Sequence, residues 1–183
     1  LAEGQTVTQV YTVTVVDGKG GTVDQTVRVI ITGSNDAPAI QVVDVIGTIV
    51  EGSDLTEAGS VTFTDVDLTD TPVATEATAT VTALQADGTT TLALTVAQQA
   101  DIEAAFSIVN AGTNSNDGTV TWDYTIVETV LDFLGKGEQV TATFTLTITD
   151  DEGATATQDV VVTLTGSNDA PTITASSTTD SGA

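Results

Sequence analysis

Threonine alternates with Val, Tyr and Ile through residues 6 to 16 and again through 22 to 32. A period of two in β-branched and aromatic residues predicts two half-buried strands. Between them Asp17-Gly18-Lys19-Gly20-Gly21 supplies residues that accept positive φ, so the two runs form a hairpin. A lone hairpin is marginal in water, and this one is expected to dock on the following domain or on a neighbouring chain. Pro38 cannot donate to a ladder and pushes Ala37 toward extended geometry, which ends the second strand in the linker Asn35-Asp36-Ala37-Pro38.

Apolar positions resume at Ile40, Val42, Val43, Val45, Ile46, Ile49 and Val50, a strand over 40–50 broken at Gly47 and closed by the turn Glu51-Gly52-Ser53-Asp54. Ser60 to Thr64 predicts the next strand, Asp65-Val66-Asp67-Leu68-Thr69-Asp70 an acidic loop, and residues 76 to 86 a further strand through Ala77, Ala79, Val81 and Ala83. One segment changes period. Thr95 followed by Gln98 is a capping-box pair, and Ile102, Ala105, Phe106 and Val109 keep helical spacing, which predicts a helix over 96–108. A polar loop from Asn110 to Gly118 leads to Val120, Trp122, Tyr124 and Ile126, whose alternation marks a core strand. Residues 139–149 and 155–165 repeat the opening hairpin, and 175–183 holds too few apolar residues to fold alone. About seven strands with short turns and one inserted helix predict an all-β fold, an immunoglobulin-like or cadherin-like antiparallel sandwich, with a barrel as the rival.

The two hairpins are related by more than pattern. Gly33-Ser34-Asn35-Asp36-Ala37-Pro38 returns as Gly166-Ser167-Asn168-Asp169-Ala170-Pro171, and Tyr11 to Asp17 falls on Phe144 to Asp150 at the same offset of 133 residues. A fixed offset marks tandem units. Residues 1–37 then read as the C-terminal hairpin of a preceding repeat plus linker, 38–171 as a complete repeat, and 172–183 as the stub of the next. On this reading the chain is an internal excerpt of something longer.

Composition narrows the chemistry. The chain has 26 acidic residues against Lys19, Arg28 and Lys136, a net charge of −23 that repels nucleic acid and anionic membrane surfaces. It contains no Cys and no His, which removes disulfides, the usual general base and the commonest transition-metal ligand. Carboxylate and carbonyl oxygens remain, and they suit Ca²⁺ or Mg²⁺. No apolar run approaches the roughly 20 residues that span a bilayer. No Ser-His-Asp set, Walker loop or dinucleotide fingerprint is present, so an enzyme is the weakest reading.

In a sandwich of this kind the loop after residues 60–64 and the turn between the last two strands share the end where the chain enters. Asp65, Asp67 and Asp70 then face Asp150 and Asp151, with Asn35 and Asp36 arriving between them. Carboxylates crowded in this way repel unless a cation joins them, and Ca²⁺ takes about 6 to 8 oxygens. Glu51, Asp132, Asn168 and Asp169 form an incomplete second set at the opposite end. The plainer alternatives are solvated turns, since Asn, Asp and Pro also serve turns without any ligand. From Asp65 an EF-hand spacing fails, because Asp70 stands where a Gly is needed and Pro72 intervenes.

Leu134 with Gly137-Glu138, the stretch Thr145-Leu146-Thr147-Ile148-Thr149-Asp150-Asp151-Glu152-Gly153, and Gly166-Ser167-Asn168-Asp169-Ala170-Pro171 together resemble the VCBS-type repeats of large bacterial repeats-in-toxin (RTX) adhesins. The resemblance implies cadherin-like sandwiches strung in series on a secreted, cell-surface protein, stiffened by Ca²⁺ and serving cell adhesion and biofilm formation. In cadherins an Asn-Asp linker and an Asp-x-Asp loop share calcium, as Asn35-Asp36 and Asp65-Val66-Asp67 do in pattern. One departure is the turn Asp151-Glu152, where the upstream copy has Gly18-Lys19. The leading function is a non-enzymatic spacer whose partners are neighbouring repeats. The alternatives are a sugar- or peptide-binding domain of the same kind of adhesin, and a split domain completed by the opening hairpin.

Overall fold

The computed structural model describes residues 1–110 and 115–171. Part of the predicted 110–118 loop and the whole 172–183 stub therefore lie outside the described residues. The strands are β1 (Thr6–Val16), β2 (Thr22–Thr32), β3 (Ala39–Val43), β4 (Ile46–Val50), β5 (Thr56–Thr64), β6 (Val73–Leu84), β7 (Phe106–Asn110), β8 (Asp117–Thr125), β9 (Gln139–Thr149) and β10 (Thr155–Thr165), with helices α1 (Val96–Ala104) and α2 (Glu128–Leu131). Strands β3 to β10 make two four-stranded sheets, ordered β4-β10-β9-β6 and β3-β5-β8-β7. This is the expected immunoglobulin-like sandwich, with eight strands rather than about seven.

The predicted strand over 40–50 is two strands in different sheets. β3 runs antiparallel to β5, whereas β4 runs parallel to β10. The change of sheet falls at Asp44-Val45, where the Asp44 amide still donates to Ser60 O while Val45 O accepts from Val161 N. In the sequence both strands lie within one apolar run, from Ile40 to Val50, and the change of sheet is not marked there.

Alternation places the core. Val140, Ala142, Phe144, Leu146 and Ile148 on β9, with Val160, Val162 and Leu164 on β10, all point inward against Val61, Phe63, Val120, Trp122 and Tyr124 of the facing sheet. The polar atoms of the two large aromatics are satisfied: Trp122 Nε1 donates to Asp44 O at 2.6 Å and Tyr124 Oη to Ile102 O at 3.0 Å. Gly59 makes the first bond possible, since a Cβ there would lie 2.5 Å from Asp44 O and 2.6 Å from the indole nitrogen.

The helix is shorter than its spacing predicts. Its capping box is intact, with Thr95 Oγ1 accepting from Gln98 N and Gln98 Oε1 from Thr95 N. After Ala105, however, Phe106 to Asn110 leaves the helix and pairs with β8 as an edge strand. Phe106 is then stacked on Phe144 at 4.1 Å between ring centroids and lies 6.0 Å from Trp122. Ladder bonds and ring stacking outweigh another turn of helix. A second helix, α2, was not expected; it carries Leu131 into the core just ahead of the equally buried Leu134.

The hairpin β1-β2 is a separate two-stranded sheet, and every residue of both strands is exposed. The expectation that its strands dock on the following domain is therefore not met. Its base touches the sandwich, where Gln5 Nε2 donates to Thr69 Oγ1 at 3.0 Å and the Leu1 amino group lies 3.7 Å from Asp67 Oδ1. Its register matches β9-β10 across all eleven pairs: Tyr11 faces Val27 as Phe144 faces Val160, and Thr6 faces Thr32 as Gln139 faces Thr165.

Because Phe144 is fully enclosed and its equivalent Tyr11 is exposed, the same truncation has unequal effects. Phe144→Ala is expected to lower unfolding free energy by about 3–5 kcal/mol. Tyr11→Ala should change it by less than about 0.5 kcal/mol. Urea unfolding of the two variants decides this, and comparable losses would contradict the assigned core.

Candidate metal centre

Three backbone segments meet at the pole where the chain enters the sandwich: the linker 33–38, the β5–β6 loop 65–72, and the β9–β10 turn 150–154. Each is shaped by its own aspartates. Asp65 Oδ1 accepts from Asp67 N at 2.9 Å, and Asp70 N donates to Asp67 O at 3.0 Å, which coils the loop so that its carboxylates turn inward. Asn116, just ahead of β8, fastens the loop, its Nδ2 donating to Asp65 O while its own carbonyl accepts from Asp65 N, each at 2.7 Å. On the turn, Asp150 Oδ1 accepts from the amides of Glu152 and Ala154.

The linker stitches the other two segments together. Asn35 Nδ2 donates to Asp150 Oδ2 at 2.9 Å, and Asp36 N donates to Asp67 Oδ2 at 2.8 Å. Asp65, Asp67 and Asp70 are buried, Asp67 completely, and each offers an oxygen within 4.8 Å of the others. Asp65 Oδ2, Asp67 Oδ1, Asp70 Oδ2 and Asn35 Oδ1 are enclosed without a hydrogen-bond donor. Among the described residues the one positive group in ion-pair range is the Leu1 amino group, 3.7 Å from Asp67 Oδ1.

The electrostatics follow from that crowding. Burial first, and then the charges of Asp65, Asp67, Asp150 and Asp151, raise the Asp70 carboxyl above its ordinary value. Burial also acts to raise Asp150, but the Asn35 amide and the backbone amides of Ala154, Gly153 and Glu152 outweigh it and leave that carboxyl lowered. Asp150 is an anion stabilised by donors; Asp70 is one opposed by its neighbours.

Of the residues marked in the sequence, Asn35, Asp65, Asp67, Asp70 and Asp150 are gathered here. Asp36 contributes its amide while its side chain faces solvent. Asp151 is exposed at the rim and accepts from Thr71 Oγ1 at 2.9 Å. At the opposite pole Glu51 is buried, with Oε2 accepting from Ser167 N at 2.6 Å and Oε1 unpartnered. Asp132, Asn168 and Asp169 are exposed there, and the Asn168 amide turns to Asp169 O. They do not enclose Glu51. Sequence reasoning passed over Asn116 and Thr71; Asn116 sat inside a loop read as merely polar, and nothing local marks it as the clamp of a distant turn.

No protein-family model matches the chain, and no curated protein matches it. Among solved structures it is similar to the sialic-acid-binding region of a Streptococcus sanguinis SK1 adhesin bound to 3′sLn, at 15% identity and a TM-score of 0.38, covering 86% of this chain and 37% of that one. It is also similar to the ASH/PapD-like domain of human CEP192, at 9% identity and a TM-score of 0.42 over 74% of this chain and 89% of that one. A third is the S-layer protein SbsC, domains 4 and 5, at 15% identity and a TM-score of 0.32 over 88% of this chain and 59% of that one. The chain thus spans little more than a third of the adhesin region.

If mutual repulsion governs this pole when divalent ions are chelated, Asp70→Asn is expected to raise the urea midpoint in chelator at low ionic strength. Added monovalent salt should raise that of the parent chain. A lower midpoint for Asp70→Asn would show that hydrogen bonding, not repulsion, dominates.

Proposed function

We propose that this is a non-enzymatic, calcium-stiffened extender repeat of a secreted bacterial surface adhesin of the VCBS type, working in cell adhesion and biofilm formation. One observation carries the reading: Asp65, Asp67 and Asp70 each offer an oxygen within 4.8 Å of the others, and Asp65 Oδ2, Asp67 Oδ1 and Asp70 Oδ2, like Asn35 Oδ1 on the linker, are buried without a hydrogen-bond donor. An enclosed acceptor without a partner costs free energy, and three close carboxylates with a single ammonium in range cost more. The donor set fits Ca²⁺. It is all oxygen, it mixes carboxylate with amide, and it draws on three separate segments, as suits a large ion with flexible geometry. Asn35, Asp65, Asp67, Asp70 and Asp150 would hold the ion, with Asp36 and Asp151 at the edge.

Calcium there would supply positive charge beyond that of the Leu1 amino group and tie the linker to both loops. The hinge between successive units would lose freedom, which is the function of a spacer. Glu51, with its free Oε1 beside the exit linker at Ser167, supports a half-site for a following unit, with Asn168 and Asp169 on the same exit segment and Asp132 apart from it. Extracellular calcium modules commonly bind in the range of about 10⁻⁴–10⁻³ M, so millimolar ion is the appropriate test concentration.

A second reading has its own observation. An open groove of about 540 Å³ runs along the β6 edge, lined by Val81, Ala83, Leu84, Leu92, Leu94 and Gln99 among others, and it would suit a sugar or peptide. A glycan and peptide array separates the two, since a spacer stays silent.

Titration of chelator-treated protein with Ca²⁺ is expected to release or absorb heat saturably and to raise the melting temperature, and Asp67→Ala should abolish both. Small-angle scattering on two units in tandem should report a longer, stiffer particle with calcium. Silent titration with unchanged melting would refute the proposal.

A further inference from the structure

The opening hairpin repeats the last two strands of the sandwich in more than register. Leu1 to Gln5 folds as Leu134 to Glu138 does: Gly4 and Gly137 both take positive φ, 76° and 81°, and Gln5 N bonds Ala2 O as Glu138 N bonds Gly135 O. Gly33 N donates to Gln5 O at 2.9 Å, as Gly166 N does to Glu138 O. A Cβ on Gly33 would strike Leu1 O, and one on Gly166 would strike Gly135 O. At the far tip Asp17 Oδ1 gathers the Lys19 and Gly21 amides as Asp150 gathers those of Glu152 and Ala154.

What differs is cover. Tyr11, Val13, Val15, Val27, Val29 and Ile31 occupy the places of Phe144, Leu146, Ile148, Val160, Val162 and Leu164. The second six are fully buried, and the first six are between 42% and 57% exposed. A two-stranded sheet with an apolar face and two open edges does not satisfy itself in water.

We propose that this face is a docking surface for one kind of partner: a sandwich of this same repeat, equivalent to residues 38–138, that lacks its last two strands. The interface is already drawn within the chain. A strand equivalent to β6 would pair antiparallel with β1, as β6 does with β9, and one equivalent to β4 would pair parallel with β2, as β4 does with β10. The facing sheet would then close over Tyr11. The inference rests on the repeat and is independent of the metal.

The test places residues 38–138 directly ahead of Thr6 in the otherwise complete chain and follows amide hydrogen exchange in chelator. Amides of β1 and β2 are expected to exchange at least ~10²-fold more slowly than in the 183-residue chain. Tyr11→Asp, on the inner face, should restore fast exchange, whereas Thr12→Asp, on the outer face, should not. Gln9 stands where Ala142 is enclosed, so the extended chain is also made with Gln9→Ala to remove that mismatch. Residues 38–171 followed by 39–171 serve as the control that the added segment folds ahead of a second unit. If the control folds and the hairpin amides remain fast in both extended chains, the proposal is overturned. A control that fails to fold contradicts the repeat and overturns it too. Because chelator is present throughout, calcium binding can fail without touching this result, and the reverse.

Discussion

Like charge held out of water is the constraint on which the described structure turns. Asp65, Asp67 and Asp70 are brought together by a loop bond to Asp65 Oδ1 and a bond from the linker amide of Asp36 to Asp67 Oδ2, and each still offers an oxygen within 4.8 Å of the others. The hydrophobic sandwich does not require this arrangement, because a turn of the same length with neutral residues would connect β5 and β6. A fold that keeps three buried carboxylates at one pole has kept them at a cost in stability, and that cost is informative only because it falls where the linker crosses. Asn35 and Asp36 reach the two loops with one bond each. Two hydrogen bonds to carboxylates, about 1.5–3 kcal/mol each, are a modest clamp on the linker. A cation among the free oxygens would make it a strong one.

The fold was legible because both sheets keep a period of two. Trp122 and Tyr124 declared the core, and the hairpin turns at Asp17 and Asp150 are where their residues require them. Legibility failed where two local rules competed. Phe106 and Val109 satisfy helical spacing, and only the free edge of β8, invisible in the linear chain, draws them into a strand. The change of sheet at Asp44-Val45 failed to register for the same reason, since one apolar run served two partners.

The site was legible in a different way. Topology alone brought the 65–70 loop and the 150–154 turn to one pole, and the linker bonds place Asn35 there as well. What the linear chain does not contain is the difference between a carboxylate that points inward and one that does not. Asp67 and Asp132 look alike in sequence, yet one has no exposed surface and the other caps a short helix in solvent. Asp67 is held by the loop bond to Asp65 and the linker bond from Asp36, neither of which spacing reveals.

The two copies of the hairpin tip separate what shapes the joint from what charges it. Asp17 and Asp150 make the same pair of amide bonds, so the turn survives the exchange of Gly18-Lys19 for Asp151-Glu152. Around Asp17 the next side chain is the cation Lys19; after Asp150 come the carboxylates Asp151 and Glu152, and desolvation first, then the charges of Asp70, Asp150, Asp151 and Glu3, raise Glu152. Geometry is therefore repeated while local charge is not. If calcium holds such joints, the one marked by Asp17 has fewer anionic oxygens to offer and an ammonium nearby, and it would bind the ion less tightly than the one marked by Asp150. On that condition units in series would not be uniformly stiff: the aspartate repeated at 17 and 150 shapes each turn, and the two residues after it would tune how firmly the joint is held.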